Sequence, residues 1–410
     1  MTNELPKLIS FCEKISSGGT PSRDIKSYYE NGSIPWVKSK ELKSNIIWDT
    51  EEKITESGLR NSSAKIYPID TVLLAMYGVN IGQVGYLGIK AAMNQAICGI
   101  ITNKRKLNPR FLYYYLISIA SYFESVSFGA AQQNINQDLI KKLKIKTPDV
   151  LTQQCIANIL STYDSLIEIN IERIRLLEEI ARELYKEWFV RMRFPGHTKA
   201  TFTKSLPKGW NIRKIGEVCK VARGSSPRPI VDQKYFANGN IPWVKIADAT
   251  AAGKFLFETK EYVNEYGASF SRQLKPGSLI IATSGTLGFC IFLAIEACIH
   301  DGWLYTFDYE EGITPEFLFY VINDRTEYFN NLSYGAAIQN INTDILRKTS
   351  FLKPDKELLQ KFQHLIAPIH EEQKNILQQN DQLRQIRDRL LPRLISGKLS
   401  LKYFESENVE

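Results

Sequence analysis

The sequence predicts an α/β (α+β) chain of two lobes in tandem duplication, separated by two long antiparallel coiled-coil helices and related by a pseudo-twofold. Three observations carry this expectation. One half of the chain repeats the other, short apolar runs bounded by turn residues fill most of each half, and each half closes on a strict 4-3 spacing of apolar residues.

The duplication is explicit in the residues. Phe128 to Asp149 reads FGAAQQNINQDLIKKLKIKTPD and Tyr334 to Asp355 reads YGAAIQNINTDILRKTSFLKPD, identical at eleven of 22 positions with an offset of 206. Pro21 of GGTP answers Pro227 of GSSP, and NPRFLYYYL from Asn108 answers TPEFLFYVI from Thr314, at the same offset. NGSIPWVK from Asn31 answers NGNIPWVK from Asn238 at 207, so one residue is inserted and later lost.

Within each lobe, turn clusters such as SSGGTPS at Ser16 to Ser22 punctuate β-branched and apolar runs. YPIDTVLLAM (Tyr67 to Met76) and KPGSLIIATSG (Lys275 to Gly285) read as strands with their turns. Pro109 and Pro315 suit the first turn of a helix, where the missing N–H costs nothing.

The third feature is the helical seam. In the first copy it runs Ile156, Leu160, Tyr163, Ile167, Asn170, Ile174, Leu177, Ala181, Leu184, Trp188; in the second, Phe362, Ile366, Ile369, Gln373, Ile376, Asn380, Leu383, Arg387, Leu390, Leu394. Alternating steps of four and three define a 3.5-residue repeat, with Pro368 as the expected kink. A helix from about Leu151 to Arg193 would be roughly 65 Å long, more than one lobe can cover, so the other copy is the expected antiparallel partner. Asn170 and Asn380 at core positions either set the register or are tolerated singly. The expected division is 1–149 first lobe, 150–197 central helix, 198–355 second lobe and 356–410 C-terminal helix.

Composition narrows the class. With 44% hydrophobic residues the chain is globular, and 52 basic against 44 acidic side chains give +8, which permits a polyanionic partner without requiring one. Cys12, Cys98, Cys155, Cys219, Cys290 and Cys298 are scattered, as reduced cytoplasmic thiols are, and no histidine stands at zinc-ligand spacing. No secretory leader or membrane-spanning run is expected, the longest apolar stretch, Phe289 to Ile299, being broken by Glu296.

Apparent catalytic motifs dissolve on inspection. Asn108-Pro109-Arg110-Phe111 resembles the Asn-Pro-Pro-Phe loop of amino-methyltransferases but carries arginine for the second proline, and no glycine-rich loop for S-adenosylmethionine or a nucleotide is found. Pro354-Asp355 with Glu372-Gln373-Lys374 imitates a metal-nuclease pattern, yet Glu372 and Lys374 flank the seam residue Gln373 on a helix. His197, His300, His364 and His370 show no partner pattern for nucleophilic or general-base work. No catalytic residue and no metal ligand are therefore assigned.

The GGTP and IPWVK landmarks, the duplicated G-x-x-Q-x-N-I-N segment and the ending Arg389-Leu390-Leu391-Pro392-Arg393-Leu394-Ile395-Ser396-Gly397-Lys398-Leu399 resemble the specificity subunit of type I restriction-modification systems over essentially the whole chain. The resemblance implies two target-recognition domains, each reading half of a bipartite double-stranded DNA site, and no active site in this chain. It also implies helices that act as spacer and docking surface for two methyltransferase subunits, and motor-nuclease subunits recruited through them. S-adenosylmethionine, ATP and Mg are then expected on those partners and none of them on this chain. A stand-alone DNA methyltransferase and a coiled-coil protein-interaction scaffold are the alternatives.

Under that resemblance the repeat is an internal control, because residues alike in both lobes cannot distinguish two different half-sites. Pro35 and Trp36 with Pro242 and Trp243, and Asn134-Ile135-Asn136 with Asn340-Ile341-Asn342, read as scaffold or as residues that position the DNA backbone, the tryptophans as core rather than base-stacking residues. Lys38 and Lys245 either contact phosphate or are simply solvated. Readers are expected where the lobes diverge. Lys40, Lys43, Asn45 and Arg60 lie in Ser39 to Arg60, which differs wholly from Ile246 to Gly267. Tyr77, Asn80 and Gln83 stand against Thr283, Ser284 and Thr286, and Gln132, Gln133 and Gln339 border the shared Asn-Ile-Asn.

Overall fold

The computed structural model describes residues 5–43, 45–129, 135–283, 288–335, 340–399 and 401. The chain forms two compact units, residues 1–169 with 380–410 and residues 170–379. Each long helix therefore contributes one part to each unit.

The first unit is built on a five-stranded sheet in the order Cys12–Ser17, Ile97–Thr102, Val72–Ala75, Val84–Leu87, Asn45–Ile47. Its pairs are antiparallel except the last, which is parallel. Residues of the central strand alternate between two cores. Val72 and Leu74 face the cluster that holds Phe111 and Leu112 of the helix Pro109–Ser118, and Leu73 and Ala75 face Val37, Tyr67 and Met93. That period-two division is what lets a short, wholly apolar run serve as a central strand covered on both sides.

The second unit repeats this order with Lys220–Arg223, Trp303–Phe307, Leu279–Ala282, Cys290–Leu293 and Phe255–Leu256, again parallel only at the last pair. Leu279 and Ile281 face one core, Ile280 and Ala282 the other. A small second sheet carries the IPWV strand in each unit, Ile34–Val37 in the first and Ile241–Val244 in the second, and the second unit adds the strand Arg272–Leu274 to it.

Several of the shared residues are scaffold, while Asn134 lies outside the described residues and Asn340 is exposed. Trp36 is buried with Nε1 donating to the Gly19 carbonyl at 3.0 Å, and Trp243 is equally buried. Ile135 and Ile341 enter the cores, while Asn136 and Asn342 cap the helices Gln137–Lys142 and Thr343–Lys348 by accepting the N–H of Leu139 (2.8 Å) and Ile345 (2.9 Å). Asn108 and Thr314 cap the helices that begin at Pro109 and Pro315, so the imitation methyltransferase motif is spent on a helix start. Asp149 and Asp355 do the same for the long helices, accepting the N–H of Thr152 (3.0 Å) and Leu358 (2.9 Å).

The first long helix spans Val150–Tyr185 and the second Lys356–Ile395, unbroken through Pro368. The first stops short of the expected Arg193. A wider turn follows at Lys186–Val190, with the Arg191 N–H bonded to the Lys186 carbonyl five residues back, where Trp188 and Phe189 enter the aromatic core of the second unit. Every residue of both predicted seams is buried or half-buried, whereas most of the residues between them are exposed. In the first unit Arg387 donates to Asp164 at 2.6 Å; in the second Arg173 donates to Glu372 at 2.7 Å, and Gln373 Nε2 reaches the Ile174 carbonyl at 3.4 Å. No described helix is long and apolar enough to cross a membrane.

Candidate nucleic-acid interface

Two divergent segments meet on the five-stranded sheet of the first unit. The turn between Val72–Ala75 and Val84–Leu87 carries Tyr77, Asn80 and Gln83, all half-buried, around a fully exposed Val79. Gly78 and Gly82 have φ of +82° and +79°, a region other L-residues reach only with strain. The turn is pinned by Gly82 N–H to Ala75 O (3.0 Å) and Gln83 N–H to Asn80 O (3.0 Å). Ile135 N–H bonds to Met76 O at 2.8 Å, so Ile135 of the shared segment is anchored at the base of this turn. In the second unit Ile341 N–H makes the same bond to Thr283 O at 2.8 Å.

The second segment adjoins the first by strand pairing, since Asn45 stands opposite Gly85, two residues from Gln83. The structure thus brings the Asn45 backbone and the hairpin to the same end of the sheet. Lys43 and Arg60 are exposed, Arg60 in the last turn of the helix Glu56–Arg60. Of the remaining expectations, Thr283 is buried, its hydroxyl donating to the Gly302 carbonyl at 2.9 Å. Gln132, Gln133, Ser284, Thr286, Gln339 and the side chain of Asn45 lie outside the described residues.

The lysines after IPWV are engaged. Lys38 Nζ lies 2.7 Å from Glu52 and 3.2 Å from Glu51, and the Glu52 hydrogen bond leads in raising its pKa. Lys40 pairs with Glu51 at 2.6 Å and Lys245 with Glu261. Lys40 and Glu51 are both more than half exposed, so that pair is worth little and opens readily to a phosphate. Lys38 is held.

Sequence reasoning missed Arg23. Its guanidinium stacks over Tyr29 (4.4 Å) and Trp36 (5.0 Å) and donates to Glu52 at 2.7 Å. In the second unit Arg228 bonds to Asp301, which also accepts from Ser226 Oγ at 2.8 Å. The available signal was a cation one or two residues after the shared proline of each Gly-x-x-Pro landmark.

Comparison with known proteins agrees with this layout. The sequence matches the family described as the type I restriction modification DNA specificity domain twice, over residues 3–180 and 207–386. It is similar to the specificity subunit of the type I restriction enzyme MjaIX of Methanocaldococcus jannaschii, 27% identical over 421 residues, covering 97% of this chain and 93% of that protein. The HindI specificity subunit of Haemophilus influenzae is 24% identical over 359 residues, covering 71% of this chain and 77% of its own. Among solved structures, the type I restriction-modification S subunit from M. genitalium shares the fold with a TM-score of 0.64 at 17% identity, over 96% of this chain and 97% of that one.

Proposed function

This chain belongs to the type I restriction-modification DNA specificity family, and from that premise we propose that it is a sequence-specific DNA-recognition subunit. Each lobe reads one half of a bipartite duplex target, and the catalysis belongs to partner subunits. The observation that carries the reading is the split between what the lobes share and what they do not. Shared Asn136 and Asn342 cap helices and Trp36, Trp243, Ile135 and Ile341 are buried, whereas the hairpin that differs presents Val79, Asn80 and Gln83 on glycine-shaped turns. Amide groups held this way match the donor and acceptor pairs of major-groove edges, and lysines such as Lys40 supply the phosphate contacts that position without specifying.

Asn80→Ala and Gln83→Ala are therefore expected to relax preference at one half-site by about 1–3 kcal/mol each, leaving the other half-site intact. Mapping methylated bases in cells with and without each variant checks this. Lys40→Ala should weaken all sequences alike and lower the salt slope by about one. Loss of discrimination between sequences in that variant would reassign it as a reader.

The helices form the spacer in this reading, as an antiparallel coiled coil whose length sets the number of unread base pairs. The buried seams and the Arg387–Asp164 and Arg173–Glu372 pairs support it. Inserting four residues in register in each helix adds about 6 Å, or between one and two base pairs of spacer. A methylation map with the parental spacer would remove the ruler.

Two methyltransferase subunits are the proposed occupants of the outer helix faces, with motor-nuclease subunits recruited through them. Leu166 and Ile169 in the first unit and Ile171, Leu176 and Ile180 in the second stand exposed there, apolar surface that a helix without a partner has no reason to keep. S-adenosylmethionine, ATP and Mg are assigned to those partners and the complex to the cytoplasm.

A further inference from the structure

The two parallel edge strands equate positions that alignment of the halves cannot. Ile47 stands opposite Leu87 and Leu256 opposite Leu293, and Leu87 and Leu293 are counterparts at the offset of 206. Counting back along each strand, Lys254 occupies the place of Asn45, each inside the segment in which the lobes diverge. In the second unit that segment contains the helix Ile246–Ala252, where the first has only the short turn Ser39–Glu41. Gly253, with φ of +76°, reverses the chain directly into Lys254.

Lys254 then leaves the lobe surface altogether. Its side chain is 12% exposed, and Nζ sits 2.6 Å from Glu178 of the first long helix, 2.8 Å from His370 Nε2 and 3.1 Å from Gln373 Oε1 of the second, and 3.1 Å from the Tyr320 hydroxyl. The face of Phe319 lies 4.7 Å away. Gln373 also donates to Glu178 at 3.2 Å, tying the carboxylate bonded to the ammonium into the same cluster. Burial, reinforced by the ammonium, depresses the His370 pKa to about 2, so the ring stays neutral and offers a lone pair to its neighbours.

Burying an ammonium is costly, and an apolar chain of the same length would fill this site more cheaply. What the ammonium adds is direction. Acceptors converging from both long helices and from the helix Pro315–Asp324 fix where the divergent segment is held, in a way that apolar packing does not. We propose that Lys254 is a positioning residue for DNA reading by the second lobe, locking the Ile246–Ala252 segment to the helix pair so that its readers meet their half-site in one register.

This rests on the DNA-recognition reading, and the test separates the two. The full chain is assembled with its methyltransferase subunits, and methylated bases are mapped for the parent, Lys254→Met and Gln373→Met. Asn80→Ala identifies which half-site belongs to the first lobe. In Lys254→Met, discrimination at one or more positions of the other half-site is expected to fall roughly fivefold or more, as when one base contact is displaced, with the first half-site unchanged. Gln373→Met, which keeps the ammonium and removes one acceptor, should shift the same positions in the same direction by a smaller factor, and it stands as the test if Lys254→Met fails to fold. Half-sites read at parental stringency by whichever variants assemble, whatever their melting temperature, would reduce Lys254 to a stabilising contact and overturn the proposal. A parent that methylates no two-part site would overturn the functional reading itself.

Discussion

Phe362→Ala is expected to destabilise the second unit by about 3–5 kcal/mol, lowering its unfolding transition by roughly 10 °C. Phe362 is fully buried on the second long helix, with ring centroids 4.9 Å from Phe189, 6.0 Å from Trp188, and 6.1 Å from both Phe317 and Tyr320. These neighbours come from the end of the first long helix and from the lobe, so one truncation opens a cavity where three parts of the unit converge. The counterpart in the first unit is Ile156, which packs among aliphatic residues such as Leu160, Leu391 and Leu394. Ile156→Val there should cost only about 1 kcal/mol. Thermal unfolding of both variants, followed by a probe in each unit, checks the contrast; equal losses would show that the aromatic cluster is not what secures the second unit.

Replacing residues 207–355 with residues 1–149 is expected to change the target completely, so that the first half-site sequence occurs in both parts and the second disappears. Particular contacts at the joint are conserved between the two lobes. It ends on Pro148-Asp149 where Pro354-Asp355 stood, and both aspartates cap the helix that follows through the third residue's N–H. Phe111 replaces Phe317, a phenylalanine for a phenylalanine, against the aromatic cluster. Tyr114 arrives in place of Tyr320, whose hydroxyl lies 2.8 Å from His370 Nε2; in its own lobe Tyr114 donates to Asp164 at 2.6 Å, and Asp164 and His370 are counterparts at the same offset. Either residue accepts a phenol, so the joint survives. Lys254 is lost, but Glu178 is 36% exposed and can be hydrated. A methylation map that retains the parental second half-site would contradict the assignment of one half-site to each lobe.

The Tyr114–Asp164–Arg387 contact also explains why Arg387, a charge at a seam position, belongs inside. Asp164 and Arg387 are 13% and 23% exposed; Arg387 donates to one Asp164 carboxylate oxygen and to the neighbouring Asp388, while the tyrosine donates to the other Asp164 oxygen. Asp164→Ala, which removes the buried acceptor of Tyr114 and Arg387 and leaves Arg387 only its pair with the exposed Asp388, is expected to cost the first unit about 1–3 kcal/mol, whereas a paired Asp164→Leu, Arg387→Leu variant should recover much of that loss. Denaturant unfolding of the single and double variants distinguishes the two outcomes.

Much of this protein was legible as pattern. The repeat identified which residues are scaffold, because a duplicated fold re-uses its caps and core tryptophans: Asn136 and Asn342, Trp36 and Trp243, Ile135 and Ile341 stand where the duplicated text placed them. The 4-3 spacing identified the buried side of both long helices residue by residue, including the polar members, since a helix face is a property of periodicity alone. Local rules failed where several segments compete for one space. The first helix ends at Tyr185 because Trp188 and Phe189 are claimed by the aromatic core of the second unit, and no cap or breaker in the sequence announces it.

Sequence by itself therefore determined the duplication, the central strand of each lobe, the helix faces and the segments in which the two lobes differ, because each is written in residue identity at fixed spacing. Tertiary structure alone decided the pairings of charge: that Lys38 is clasped by Glu51 and Glu52, that Arg23 lies over Tyr29 and Trp36, and that Lys254 runs inward to Glu178 and His370. A flexible cation reaches several ångströms from its backbone, and which acceptor it meets depends on segments that come together only when the chain has folded.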